Sequence, residues 1–167
     1  METLDLFFDD PEGSYHVREI ARRTGIHPNT TLRDVKTLAK EGLLLVRRTK
    51  AVLEARANPQ SERFSTLKRL RNLGRLQDSG LVEFLHKEYS APEAIILFGS
   101  YSRGEDTKRS DIDIAIVTKR KIAHSLPRFE RALGRRIQLH EIELDRVSKE
   151  FLTSLANGIV LRGYLTL

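Results

Sequence analysis

The sequence predicts a two-domain chain of α+β to α/β class. Residues 17–55 read as two short amphipathic helices followed by a pair of strands around a basic turn. From residue 94 onward, short aliphatic runs alternate with helical stretches and are separated by glycine, serine and charge, the pattern of a small sheet flanked by helices. Charge sets the halves apart as well. The net charge is +6, and residues 1–75 carry 15 Lys/Arg against 10 Asp/Glu while residues 76–167 carry 14 against 13. The expected boundaries are 1–60 for the first domain, 61–90 for a helical linker and 91–167 for the second domain.

The first element is a short apolar helix over residues 4–8, stopped by Asp9, Asp10 and Pro11, because the residue before proline disfavours the helical region. Val17, Ile20 and Ala21 then share one helical face, and Thr24-Gly25 ends that helix with a glycine cap. Pro28 is suited to the first position of the next helix, whose expected apolar stripe is Leu32, Val35, Leu38 and Ala39, with Glu41-Gly42 as the stop. Residues 43–46 and 51–55 read as strands on either side of the basic turn Arg47-Arg48-Thr49-Lys50. Two helices joined by a tight turn and followed by such a pair make a winged helix-turn-helix.

The stretch VREIARRTGIHPNTTLRDVKTLAKEGLLLVRR resembles the winged-helix domains of prokaryotic transcription regulators over its whole length, most tellingly at Thr30 to Arg33 and at Lys40-Glu41-Gly42-Leu43. Double-stranded DNA is therefore the expected partner, with Asn29, Thr30, Arg33 and Lys36 of the second helix reaching base edges or phosphates and Arg47, Arg48 and Lys50 meeting the backbone. The basic N-terminal half suits an anionic partner. Such regulators commonly read two half-sites as dimers, so a homodimer is expected.

In residues 61–74, Phe64, Leu67, Leu70 and Leu73 recur every three positions, and residues 81–89 form a second helical segment. The second domain then reads as strands AIILF, DIDIAIV and RRIQLHEIEL, with helices near 125–134 and 145–156.

The chemistry of the second half lies in one string. The first strand runs into Gly99-Ser100, where bare backbone and a hydroxyl can approach phosphate oxygens. The second strand carries Asp111 and Asp113, which a period of two places on one face, where paired carboxylates repel unless a cation lies between them. The full string, Gly99-Ser100-x-x-Arg103-Gly104-x5-Ser110-Asp111-Ile112-Asp113-Ile114, resembles the DNA polymerase β-like nucleotidyltransferase superfamily, especially its minimal prokaryotic members.

That resemblance implies a mixed sheet with flanking helices and transfer of a nucleoside monophosphate from a nucleoside triphosphate to an acceptor hydroxyl. It implies that Gly99 and Ser100 hold the triphosphate and that Asp111 and Asp113 bind Mg²⁺, a hard cation that prefers oxygen ligands. Arg103 is either a phosphate contact or a pin for the loop, and Ser110 a brace within it. Tyr101 either stacks on a base or packs across the loop. The family usually adds a third carboxylate from the next strand, but Gln138 stands at that position, with His140 on the same strand face and Glu141 and Glu143 on the other.

The order of parts, including the FSTLKRLRNLGRL connector and the terminal NGIVLRGYL, resembles archaeal and bacterial proteins that fuse the two domains. Related minimal nucleotidyltransferases often act as antitoxins that modify a HEPN-type helical partner with AMP, which makes such a protein a further expected partner. Two functions stay open: a DNA-tethered transferase, favoured by the intact Gly99-Ser100 and Asp111/Asp113 set, and a transcription regulator with a degenerate nucleotide-binding domain, favoured by Gln138.

Other classes are excluded or weakened. There is no cysteine, hence no disulfide framework, thiolate metal site or cysteine nucleophile. The five histidines lack the i, i+4 spacing of a zinc helix. Lys119-Arg120-Lys121 is most simply a solvated turn. No apolar run approaches the roughly 20 residues of a membrane span, and METLDLFFDD is unlike a signal region, so a cytoplasmic protein is expected.

Overall fold

A computed structural model describes residues 2–48, 52–122 and 125–166. The chain divides into two compact units, Met1–Lys68 and Arg69–Leu167.

The first unit contains α1 (Thr3–Asp9), β1 (Ser14–His16), α2 (Val17–Thr24), α3 (Pro28–Lys40), β2 (Leu44–Arg48) and β3 (Leu53–Ala57). The strands form an antiparallel sheet in the order β1-β3-β2, which is the wing. Gly25 takes φ 75°, a left-handed geometry that glycine adopts without penalty, and so ends α2 as its sequence suggests. His27 caps α3 by accepting the Asn29 N–H, and Pro28 fills the first turn.

Two details differ from the sequence reading. Thr31, not Leu32, joins Val35 among the buried residues of α3, because its hydroxyl donates to the His27 carbonyl at 3.2 Å and so satisfies itself locally. Arg47 and Arg48 are not in the turn but extend β2, paired with Glu54 and Leu53. Both stay exposed, since β2 is an edge strand of the wing. Thr49, Lys50 and Ala51 lie outside the described residues, and so does the expected backbone contact from Lys50. The core gathers Phe7, Phe8, Tyr15, Ile20, Val35, Leu43, Leu44 and Phe64. Each such side chain contributes about 1.5–3 kcal/mol on burial.

Helix α4 (Glu62–Asp78) is longer than expected. Its buried residues are Phe64, Lys68, Asn72 and Leu76, spaced by four, whereas Leu70 is 60% exposed. A spacing of three drifts off a 3.6-residue face, which leaves Leu70 outside the stripe.

The second unit continues with α5 (Leu81–Glu88), β4 (Ala94–Phe98), α6 (Gly99–Arg103), β5 (Ile112–Val117), α7 (Pro127–Leu133), β6 (Ile137–Ile142), a 3₁₀ turn over Leu144–Arg146, α8 (Lys149–Ala156) and β7 (Ile159–Gly163). The sheet is mixed, in the order β6-β5-β4-β7: β5 and β6 are parallel, while β4 is antiparallel to both β5 and β7. All five residues of β4 are buried, as befits an uninterrupted aliphatic run in a central strand. Ile95, Leu97, Ile112, Ile114 and Ile116 belong to one core cluster with Leu81, Leu85, Phe129 and Leu133. Ile96, Phe98, Ala115, Val117 and Ile142 belong to another with Leu155 and Phe151 of α8. Period-two alternation places Asp113 with the second set, at the end of the sheet next to Gly99.

Candidate functional site

In the second unit, β4 and β5 pair so that Phe98 faces Asp113, and the chain turns into α6 at Gly99 with φ 74°. Glycine is favoured here on two counts. The left-handed φ disfavours any side chain, and a Cβ built there would lie 2.5 Å from Asp113 Oδ2. The carboxylate thus rests directly against bare backbone at the turn. Asp111, expected on the strand, instead ends the loop just before β5, which begins at Ile112, and reaches β6 through its bond to Gln138.

The loop of residues 104–110 is anchored from below. Asp106 is almost fully buried, ion-paired to Arg135 Nη2 at 3.1 Å and accepting the Asn72 amide at 2.8 Å, while Arg135 also donates to the Thr107 carbonyl. Asn72 reaches the Tyr101 carbonyl at 3.1 Å, so one buried network ties the end of α6 to the loop that delivers Asp111. Ser110 Oγ accepts the Thr107 N–H at 3.0 Å, a brace within the loop. Arg103 donates to Glu105 at 2.7 Å in an exposed pair.

Tyr101 is 1% exposed and packs in the core under the turn, so it is not available to stack on a base. Burial pushes its phenol above the usual tyrosine range, the nearby Arg75 offsetting part of the shift. Asp106, Asn72 and Arg135 fall outside the residues that the sequence points to. A buried ion pair joins residues far apart in the chain, and the only local hint is an acidic pair inside an otherwise basic loop, Glu105-Asp106-Thr107-Lys108-Arg109.

The parallel register sets Gln138 beside Asp113 and His140 beside Ala115. Gln138 Nε2 donates to Asp111 Oδ2 at 2.7 Å. His140 Nε2 lies 3.7 Å from Asp113 Oδ1, and its ring is held edge-on by Phe98 at 5.2 Å and tilted by Phe151 at 5.7 Å between centroids. Glu141 points elsewhere: its carboxylate accepts the Tyr89 hydroxyl at 2.5 Å and the Ile122 N–H at 2.7 Å. Among the described residues, no three His, Asp or Glu side chains form a metal cage. Mg²⁺ does not require one, since one or two carboxylates plus substrate phosphates suffice. Asp111 and Asp113 are of the right chemistry to hold the ion, and the bare backbone at Gly99 leaves room that a side chain would fill.

In the first unit, Asn29, Arg33, Lys36 and Lys40 follow one another at helical spacing along the solvent side of α3, all exposed, with Thr30 half-buried beside them. Together with Leu32 and Thr37, these four line a shallow groove of about 350 Å³. Leu32, displaced from the expected core stripe, is the apolar member of this face. A larger groove of about 760 Å³ adjoins it, lined by Arg18 and Arg22 of α2 with Asn29, Leu32, Val52 and Leu53. These two arginines are absent from the DNA contacts expected above, although their i, i+4 spacing on the first helix is legible in the sequence.

Fold and geometry define the class: a winged helix-turn-helix unit followed by a nucleotidyltransferase-type sheet with its Gly-Ser turn and acidic pair. Comparison with known families agrees. Residues 2–48 match the IclR helix-turn-helix domain, and residues 81–161 match the Polymerase beta nucleotidyltransferase family. The chain is a fusion of these two domains, in that order. No curated protein matches it.

Proposed function

We propose that this chain is a DNA-binding protein whose C-terminal domain binds a Mg²⁺-complexed nucleoside triphosphate and transfers its nucleoside monophosphate to an acceptor hydroxyl. The observation that carries the reading is the contact of the Gly99 turn with the Asp113 carboxylate, for it sets bare backbone that can approach a phosphate against two hard oxygen donors. Asp111 and Asp113 would hold the ion, Gly99 and Ser100 the phosphates. When bound, the ion neutralises charge developing on the transferred phosphoryl group. Arg103 and Ser110 act in this reading through the loop.

The partners in this reading are double-stranded DNA, the nucleotide and a second copy of the chain on an adjoining half-site. A HEPN-type partner rests on the sequence resemblance alone. A second reading, a nucleotide-responsive regulator without transfer, is favoured by the neutral Gln138 amide bonded to Asp111.

The test is incubation of the protein with Mg²⁺, radiolabelled ATP, CTP, GTP or UTP, and candidate acceptors. Labelled product supports the first reading, whereas bound but unconverted nucleotide supports the second. Asp111→Ala combined with Asp113→Ala should abolish metal-dependent nucleotide binding in calorimetry. Unchanged affinity in that double variant would remove the site from both readings.

A further inference from the structure

The two carboxylates beside the Gly99 turn are not equivalent. Asp113 faces the Gly99 turn, while Asp111 gives Oδ2 to the Gln138 amide at 2.7 Å. An N–H group has no lone pair to offer a cation, and its positive end repels one placed in the same space. A pair of divalent ions about 3.5–4 Å apart needs several carboxylates to offset their mutual repulsion. Here the strand position beside Asp113 supplies a neutral amide in place of a further carboxylate. His140, the next residue on that face of β6, lies 3.7 Å from Asp113 with its ring wedged between Phe98 and Phe151, so it does not supply the missing negative charge.

We infer that the site takes a single divalent ion, carried in with the triphosphate, and that Gln138 holds Asp111 out of the position a second ion would need. The inference rests on the nucleotide-binding reading above and deepens it. One ion with two carboxylates and phosphate oxygens is a complete Mg²⁺ shell once waters are added, so binding is fully served. A second ion, which would lower the pKa of an acceptor hydroxyl, is not. A one-ion site therefore weighs toward the second reading above, in which the triphosphate is bound without transfer.

The experiment counts ions on the full-length chain. Mn²⁺ is titrated in the presence of saturating α,β-methylene ATP, which cannot be cleaved at the relevant bond, and free Mn²⁺ is read by electron paramagnetic resonance. Wild type should bind one nucleotide-dependent Mn²⁺ per chain, and Gln138→Asp two. Gln138→Glu serves as the second variant if the shorter side chain perturbs folding, as judged by circular dichroism, and should also bind two. Two ions in the wild type overturn the inference, as does one ion in a folded carboxylate variant. A wild type that binds no nucleotide-dependent ion at all gives a third, distinct result, which overturns the nucleotide-binding reading itself.

Discussion

The polar face of α3 and the site at the Gly99 turn present their functional groups in opposite ways. On α3, Asn29, Arg33, Lys36 and Lys40 project into solvent from a helix whose other side is packed. At the Gly99 turn, Asp111 ends a loop that a buried network of Asp106, Arg135 and Asn72 holds in place, and Asp113 follows within β5. The helix carries its chemistry on a surface that tolerates change, whereas the site at the turn depends on residues that never meet a ligand. Substitutions should therefore separate stability from binding in the first region and entangle them in the second.

The largest expected effect follows from that asymmetry. Asp106→Ala leaves the Arg135 guanidinium buried without its carboxylate, and breaking a buried pair costs about 3–5 kcal/mol. Arg33→Ala on the exposed face of α3 should change stability by less than about 0.5 kcal/mol. Denaturant unfolding of both variants checks the contrast. A drop below about 1 kcal/mol for Asp106→Ala, well under the cost of breaking such a pair, would mean that the loop is held by something other than this network.

The same asymmetry decides what can be read from the sequence. The α2 and α3 helices and the β4 and β5 strands are legible because each is specified by local periodicity together with a cap or a turn: Gly25, Pro28 and the Gly99-Ser100 pair each mark a boundary through their own backbone preferences. Of the acidic pair only Asp113 follows the strand alternation, because β5 begins at Ile112 and leaves Asp111 to the loop before it. What is not legible depends on partners distant in sequence. β1 is three residues long and exists because it pairs with β3, some forty positions away. Asp106 meets Arg135 and Asn72 across separations of 29 and 34 residues. Leu32 and Leu70 mislead because apolar character does not by itself mean burial: a threonine satisfied by its own helix and a four-residue spacing along α4 fill those core positions instead.

A smaller effect is expected at the turn. Gly99→Ala introduces a Cβ into a left-handed residue, at about 1–2 kcal/mol, and drives it toward Asp113. The carboxylate can rotate away, so stability should fall only by that backbone term. Rotation takes the oxygen from where the ion needs it, so nucleotide affinity should fall more than tenfold. Calorimetry alongside thermal unfolding tests this. Equal decreases in stability and affinity would show that the glycine serves the fold alone.

The most selective effects belong to DNA binding. Side chains that meet phosphates and side chains that meet bases differ in how they respond to salt and to sequence. Neutralising a phosphate releases counterions, so removing one phosphate-binding side chain lowers the slope of log affinity against log salt by about one unit and weakens all sequences alike. Removing a base-reading side chain costs about 1–3 kcal/mol at one position of the site and leaves the slope nearly unchanged if no phosphate is touched. Arg47 and Arg48 are exposed at the end of an edge strand of the wing and are expected to meet the phosphate backbone. Arg33 stands on α3 beside Asn29 and Leu32, an amide and an apolar side chain of the kinds that suit base edges and a thymine methyl. Arg47→Ala with Arg48→Ala should therefore lower the salt slope by about one to two units without altering sequence preference, and Arg33→Ala should relax preference at one position. Selection from a random duplex library followed by a salt series on the enriched sequence measures both. If the wild type shows no salt-dependent affinity for any duplex, the winged helix would have to be reassigned as a protein-interaction module, and the comparison between the two regions would hold for their architecture but not for their function.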